Sequence, residues 1–347
     1  MELDPRKLQI LKAIIDEYIL SASPVGSRAI SKHEGFHLSS ATIRNEMVDL
    51  EELGYLEQPH TSAGRIPSDK AYRIYVDRIM HRAELTNDEI TIMREHMSGK
   101  LDEIESVMRN TAQALSAVTH YTAVVMPMLK ANRLKHIQLV PLREGRALMV
   151  VVTDTGFARD AVIRVPEGMR VDELERMSNQ LTERFRGVRM DQLSERVNTE
   201  MGDVLFERRE FLNTMVETIA RKVEPDAEAV SLSGTTNMLH YPEYADVNKA
   251  KMFLSAFEGR DAIYSMLKSA SKLEFSVTIG SENESELLKD CSVLTATYRV
   301  NNEPVGTFGV IGPTRMHYGR VLSALEYMRR SLSELFSDFN EEGQDRN

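Results

Sequence analysis

At 347 residues, 42% hydrophobic and 28% charged, the chain has room for two or three domains with real cores, and its balance excludes a disordered or membrane-embedded protein. Its 43 Lys and Arg against 53 Asp and Glu, a formal charge of -10, exclude coating of nucleic acid by general basicity, because counterion release needs clustered cations. One cysteine, Cys291, excludes an intramolecular disulfide framework and cannot build a zinc site alone.

No apolar run reaches the roughly 18 residues of a spanning helix, and Met1-Glu2-Leu3-Asp4-Pro5 lacks the basic, then apolar, start of a signal peptide. A cytoplasmic location is expected. Asp4 and Pro5 start a helix: the carboxylate accepts from orphan first-turn amides, and proline lacks a donor that would go unused. Leu8, Leu11, Ile15, Tyr18 and Ile19 then form one buried stripe. Ser21-Ala22-Ser23-Pro24 ends this helix, and a short second one over 26–32 buries Ala29 and Ile30 before Gly35. A third opens at the Ser39-Ser40 cap, buries Ile43, Met47, Leu50 and Leu53, and stops at Gly54. Residues 55–58 read as a strand, 59–64 as a turn and Arg65-Ile66 as a short return strand, the outline of a wing. A fourth helix over 70–82 aligns Tyr72, Tyr75, Val76 and Ile79. A linker follows over 82–89, then helical pattern through Leu101, Ile104, Met108, Ala112 and Leu115.

From about residue 121 the period becomes strand-like, over 123–126, 136–141, 147–153 and 158–165, with turns at Arg143-Glu144-Gly145 and Asp154-Thr155-Gly156. Helices are predicted over 171–186, 202–222 and 247–267, with a strand over 229–233. Strands return over 274–279, 292–299 and 305–311, with Asn301-Asn302 as a hairpin turn. A long amphipathic helix over 316–339 precedes a frayed acidic tail, 340–347. Strands, a helical block and strands again describe an α+β multidomain chain whose mixed sheet domain is interrupted by a helical insertion.

The functional signal lies in the third helix. Burying Ile43, Met47 and Leu50 turns Ser40, Thr42, Arg44 and Asn45 outward near its N-terminal end. Arginine forks onto guanine, asparagine onto adenine, and hydroxyls onto either. Residues 1–80 hold ten Lys and Arg against twelve Asp and Glu, so placement must overcome an unfavourable average. Asp49, Glu51 and Glu52 fall in the C-terminal half, away from the end a recognition helix inserts into the major groove. Arg28 and Ser27, at the start of the second helix, suit a phosphate. The wing turn His60-Thr61-Ser62-Ala63-Gly64-Arg65 offers hydroxyls and a cation to a sugar-phosphate strand or the minor groove, and Lys70 and Arg73 extend that contact. Each piece alone is equally a solvated face. In this order, with the Ser39 cap, they form a winged helix-turn-helix over 1–82 that binds double-stranded DNA. As a homodimer it would place two recognition helices about 34 to 36 Å apart, hence an inverted-repeat operator.

Pro24-Val25-Gly26-Ser27-Arg28, Ala41-Thr42-Ile43-Arg44-Asn45, Asp49-Leu50-Glu51-Glu52-Leu53-Gly54 and Gln58-Pro59-His60-Thr61-Ser62-Ala63-Gly64-Arg65-Ile66-Pro67 resemble the heat-inducible transcription repressors of the HrcA type. So do Ser233-Gly234-Thr235-Thr236-Asn237, Ile279-Gly280-Ser281-Glu282-Asn283 and Ile311-Gly312-Pro313-Thr314-Arg315-Met316. Ala71, Ile74 and His317 depart from that pattern, where Gly, Phe and Asp are expected. The resemblance implies a winged helix, a GAF-like mixed α/β domain over 90–189 and 271–340, and a helical dimerisation insert over 190–270. It also implies repression of heat-shock chaperone operons, a chaperonin that keeps the repressor active, and loss of repression on heat stress.

Residues 233–237 and 280–283 read either as pocket loops of a GAF-like domain or as structural turns. No glycine-rich phosphate fingerprint accompanies them, and no cofactor is expected. His33 and His37 have four-residue spacing, but Gly35 lies between them and no third ligand completes a metal set. No nucleophile, base and orienting group can be assembled, so an enzyme is not expected. A small-molecule sensor and a winged domain used for protein contacts are the other readings. Nineteen methionines and no tryptophan fit either adaptable core filling or a loosely specified, heat-sensitive core.

Overall fold

In a computed structural model of the protein, the structure is described for residues 3–33, 38–59, 64–97, 104–128, 132–154, 158–201, 209–223, 229–300 and 303–345. The first helix, α1 (Pro5–Ser21), is capped by Asp4, whose side chain accepts from the Arg6 amide, and buries Ile10, Leu11, Ile14, Ile15 and Ile19. It ends where Ala22 turns left-handed at φ 52°. Helices α2 (Ser27–Ile30) and α3 (Ser40–Glu52) follow. Ile30 is buried, but Ala29 is exposed rather than inward, because a helix of four residues has one inward position per turn. Strands β1 (Leu56–Glu57) and β2 (Ile66–Pro67) pair antiparallel as the stem of the wing. The fourth helix begins as α4 (Asp69–Ile74), widens into a π-helical turn over Tyr75–Ile79, and ends before the expected boundary at 82.

Next come α5 (Asn87–Met97), α6 (Ile104–Thr119) and β3 (Thr122–Pro127). Here the chain leaves the sheet it has begun. Strands β4 (Leu134–Leu142), β5 (Arg146–Thr153) and β6 (Ala158–Arg164) form their own antiparallel sheet. Helices α7 (Val171–Phe185), α8 (Leu193–Met201) and α9 (Arg209–Val223) complete a unit with a separate hydrophobic core. Leu139, Met149, Leu181, Phe185 and Met215 are among its buried members. The chain then returns through β7 (Ser231–Ser233), α10 (Val247–Glu258), α11 (Asp261–Ala270), β8 (Phe275–Ile279), β9 (Cys291–Val300), β10 (Glu303–Pro313) and α12 (Tyr318–Asp345). A five-stranded antiparallel sheet in the order β7-β3-β10-β9-β8 results.

This topology corrects the domain boundaries expected from sequence. The interruption runs from β4 to α9, so 132–189 leaves the main sheet domain and β7, α10 and α11 join it. The sequence pattern failed because alternation marks a strand without saying which sheet the strand joins. Helix α8 was not foreseen, and the helix expected over 247–267 breaks at Gly259 and Arg260, the latter at φ 54°. The last helix extends through the acidic tail to Asp345. Asn301-Asn302 lies outside the described residues, between paired Val300 and Glu303.

Alternation along β9 gives the main sheet two faces. Ser292 shares a hydrogen bond with the Tyr318 hydroxyl and Tyr298 stacks on Phe336, so that face is covered by α12. Val293 and Thr295 face α11. The cores of the first domain and the main sheet domain are continuous: Tyr72 of α4 meets Tyr318 of α12 at 5.9 Å between ring centroids. Two fully buried aromatic rings in such contact tie the domains through more than area alone.

Candidate nucleic-acid interface

The Ser39 hydroxyl accepts from the Thr42 amide at 3.1 Å and lies 2.8 Å from the Thr42 hydroxyl, capping α3 as its sequence requires. Ile43 and Leu50 are fully buried and Met47 nearly so. That stripe fixes the rotation of the helix, leaving Arg44 and Asn45 exposed and Thr42 half-buried. The side chains of Arg44 and Asn45 make no hydrogen bond or ion pair among the described residues. Ser40 shares a 3.0 Å hydrogen bond with Ser27, which locks the starts of α2 and α3 together. Arg28 lies beside this junction, exposed and likewise without an ion-pair partner among the described residues.

Three of the four acids of α3, Glu46, Asp49 and Glu51, are paired from within the domain. Lys7 of α1 donates to Glu46 at 2.7 Å and to Asp49 at 2.8 Å, and Arg6 adds a contact to Glu46 at 3.3 Å. Hydrogen bonds to Asp49 and Glu46 hold the Lys7 ammonium well above its usual range, so it stays charged. Arg65 pairs with Glu51 at 2.7 Å. Counting charges along the chain missed this internal pairing, which leaves the cation at the leading end of α3 without an ion-pair partner among the described residues.

The wing stem is pinned to the helix-turn-helix by reciprocal 2.9 Å backbone hydrogen bonds between Val25 and Arg65. Gly64 is required there, because a Cβ would run into the Val25 carbonyl group. His60, Thr61 and Ser62 lie outside the described residues. Lys70 is exposed and donates to the Leu53 carbonyl at 2.8 Å, with its ammonium 4.4 Å from the Tyr55 ring centroid. It therefore satisfies a carbonyl at the C-terminal end of α3, where the helix dipole favours a cation.

Arg73 sits elsewhere. Its guanidinium grips Glu282 with two nitrogens, donates to the Val277 carbonyl at 2.7 Å and reaches Asp77 at 3.2 Å. Burial opposes ionisation of Glu282, but the hydrogen bonds from Arg73 and the Ile279 amide outweigh it and hold the carboxyl below its usual range. One turn earlier, Asp69 accepts from the Ser281 amide at 2.8 Å and hydroxyl at 2.9 Å. A Cβ at Gly280, whose φ is 52°, would fall onto the Asp69 carboxylate. At the C-terminal end of α1, Arg315 donates to the Ile19 carbonyl at 3.0 Å and pairs with Glu243. None of these cross-domain partners was read as such from sequence; the only signal was that Gly280, Ser281, Glu282 and Arg315 fall in distinctive strings.

Both short loops are held in place by asparagine side chains. Asn237 donates to the Ser116 hydroxyl at 3.0 Å, and Asn283 donates to the carbonyls of Gly280, Leu288 and Cys291. Glu282 and Asn283 also border a cleft of about 430 Å³ beside α11. His33 contacts Glu17 at 3.3 Å, and His37 lies outside the described residues. Among the described residues no cluster of three metal-ligating side chains occurs, and no helix is long and apolar enough to cross a membrane.

The family model described as "HrcA protein C terminal domain" matches residues 105–322. The chain is 42% identical over 346 residues to a heat-inducible transcription repressor HrcA from Ruminiclostridium cellulolyticum, covering 96% of this chain and 97% of that one. It is 41% identical over 338 residues to the repressor of the same name from Halalkalibacterium halodurans, covering 97% and 98%. A solved structure described only as a hypothetical protein superimposes with a TM-score of 0.60 at 25% identity, covering 97% of this chain and 100% of that one.

Proposed function

The chain belongs to the HrcA family of heat-inducible transcription repressors, and we propose that it represses its genes by binding an inverted-repeat operator as a homodimer through the leading end of α3. It is a DNA-binding repressor of heat-shock genes and not an enzyme. The observation that carries the mechanism is the exposed pair Arg44 and Asn45 at the capped start of α3, without side-chain partners among the described residues and turned outward by Ile43, Met47 and Leu50. Arg44 and Asn45 read base edges in the major groove. Arg28, Ser27, Ser39, Ser40 and Thr42 flank them at the phosphates, where hydroxyls and exposed helix-start amides fit an anion. His60, Thr61 and Ser62 extend the contact through the wing, and Lys70 borders it.

The main sheet domain is read as the GAF-like domain, and the unit from β4 to α9 as the dimerisation insert. A chaperonin keeps the repressor competent, and heat withdraws it, which supplies the induction. The protein acts in the cytoplasm.

The test is equilibrium binding of the purified chain to its own upstream DNA, footprinted across salt concentrations. The expected result is protection of two half-sites about one helical turn apart, or a multiple, with cooperative dimer binding. Full-affinity binding of a monomer to one half-site contradicts the dimer reading.

A further inference from the structure

A reading head joined to its partner domain by a flexible linker can reach half-sites at many separations, whereas a fixed head reaches one. Here α4 offers two charged side chains, one turn apart, to a single tight turn of the sheet domain. Asp69 takes both donors of Ser281, and Arg73 takes the Glu282 carboxylate together with the Val277 carbonyl. The receiving turn is itself built rigidly. Glu282 folds back to accept from the Ile279 amide at 2.9 Å, and the buried Asn283 anchors the turn to three carbonyls and accepts from Thr278 at 2.6 Å. Gly280 leaves the gap into which the Asp69 carboxylate fits. Arg315, almost fully buried, fastens the far end of α1. The first domain is thus held both through α4 and through the C-terminal end of α1.

We propose that Asp69 and Arg73, with Ser281 and Glu282, are positioning residues for operator binding: they fix the recognition helix relative to the sheet domain and so set the half-site separation the dimer accepts. Arg73, expected from sequence at the DNA, acts through α3 rather than on the duplex. This inference rests on the operator reading above. The dimer carries two copies of the fastening, so an error in head orientation appears twice in the distance between recognition helices. Loosening the head replaces one allowed separation with a distribution, and binding then depends on effective concentration.

The experiment uses the full chain as wild type, Arg73→Glu, Glu282→Arg and the Arg73→Glu/Glu282→Arg pair. Each is titrated with the native operator and with operators carrying one or two added base pairs between half-sites. Amide exchange of α4 and of the 277–283 turn is followed in the absence of DNA. Wild type should lose about tenfold or more on insertion. Either single variant should bind the native operator about tenfold more weakly, change less than about threefold on insertion, and exchange faster at both α4 and the turn. The magnitudes fall in the ordinary range of coupling between sites. The double variant should recover much of the spacing discrimination.

Weaker binding with wild-type spacing preference would overturn the positioning role, because a merely structural defect lowers affinity at every spacing alike. Unchanged exchange in both single variants would overturn it without reference to DNA. Wild type that binds no duplex would defeat the operator reading instead, while the exchange result still decides whether the fastening holds the head.

Discussion

Helices α3 and α4 belong to the same small domain and each turns an arginine outward, yet the two side chains meet opposite environments. Arg73 is held by a carboxylate and a carbonyl of the sheet domain. Arg44 is exposed, while Glu46, Asp49 and Glu51 behind it are already paired with Lys7 and Arg65. In an acidic protein a cation alone therefore marks nothing. On the proposed reading, the cation that meets DNA is the one with no partner among the described residues, where Glu46, Asp49 and Glu51 beside it are already paired.

The sharpest way to break this contrast is Arg44→Ala. It should cost about 1 to 3 kcal/mol at one base pair per half-site and relax specificity there; equal loss on all sequences makes Arg44 a phosphate contact instead. Gly280→Ala comes next, acting on the α4 side only. A left-handed φ costs a non-glycine residue about 1 to 2 kcal/mol, and the methyl group displaces Asp69, so the melting temperature should fall with base preference intact. Arg28→Ala should weaken binding about equally on every sequence and reduce the salt slope by about one. An unaltered slope would remove Arg28 from the phosphate contacts.

The smallest effect concerns pH. His317 borders the seam between the domains, and burial, then Arg320 and Arg315, lower its pKa against the opposing pull of Asp16. Folding therefore favours its neutral form. The stability it permits is complete above the unfolded value of about 6.5 and is lost as pH falls from there toward the lower folded value. His317→Asn should flatten that part of a melting-temperature profile, whereas an unchanged slope would assign the pH dependence to another group.

Much of the reading head was legible because its signals are local. The Ser39 cap, the stripe of Ile43, Met47 and Leu50, and the outward turn of Arg44 all lie within one helix. The fate of Arg73 was not, because its partner Glu282 is 209 residues away in sequence. The same limit misplaced the insert: β4 to β6 alternate like any strands, and only pairing reveals that they form their own sheet. Gly280 illustrates the boundary between the two cases. Its string stood out, but the reason, room for the Asp69 carboxylate, exists only once both domains have folded together.

The contrast between α3 and α4 can be measured directly with an iron chelate tethered at Asn45→Cys or, separately, at Asp77→Cys, with cleavage of bound operator mapped base by base. Cys291 is buried and its thiol pushed up to about 12, chiefly by that burial, so the introduced cysteine is the reactive one. The account predicts cuts flanking the major groove of each half-site from position 45 and none from position 77. Strong cleavage from position 77 with silence from position 45 would contradict it.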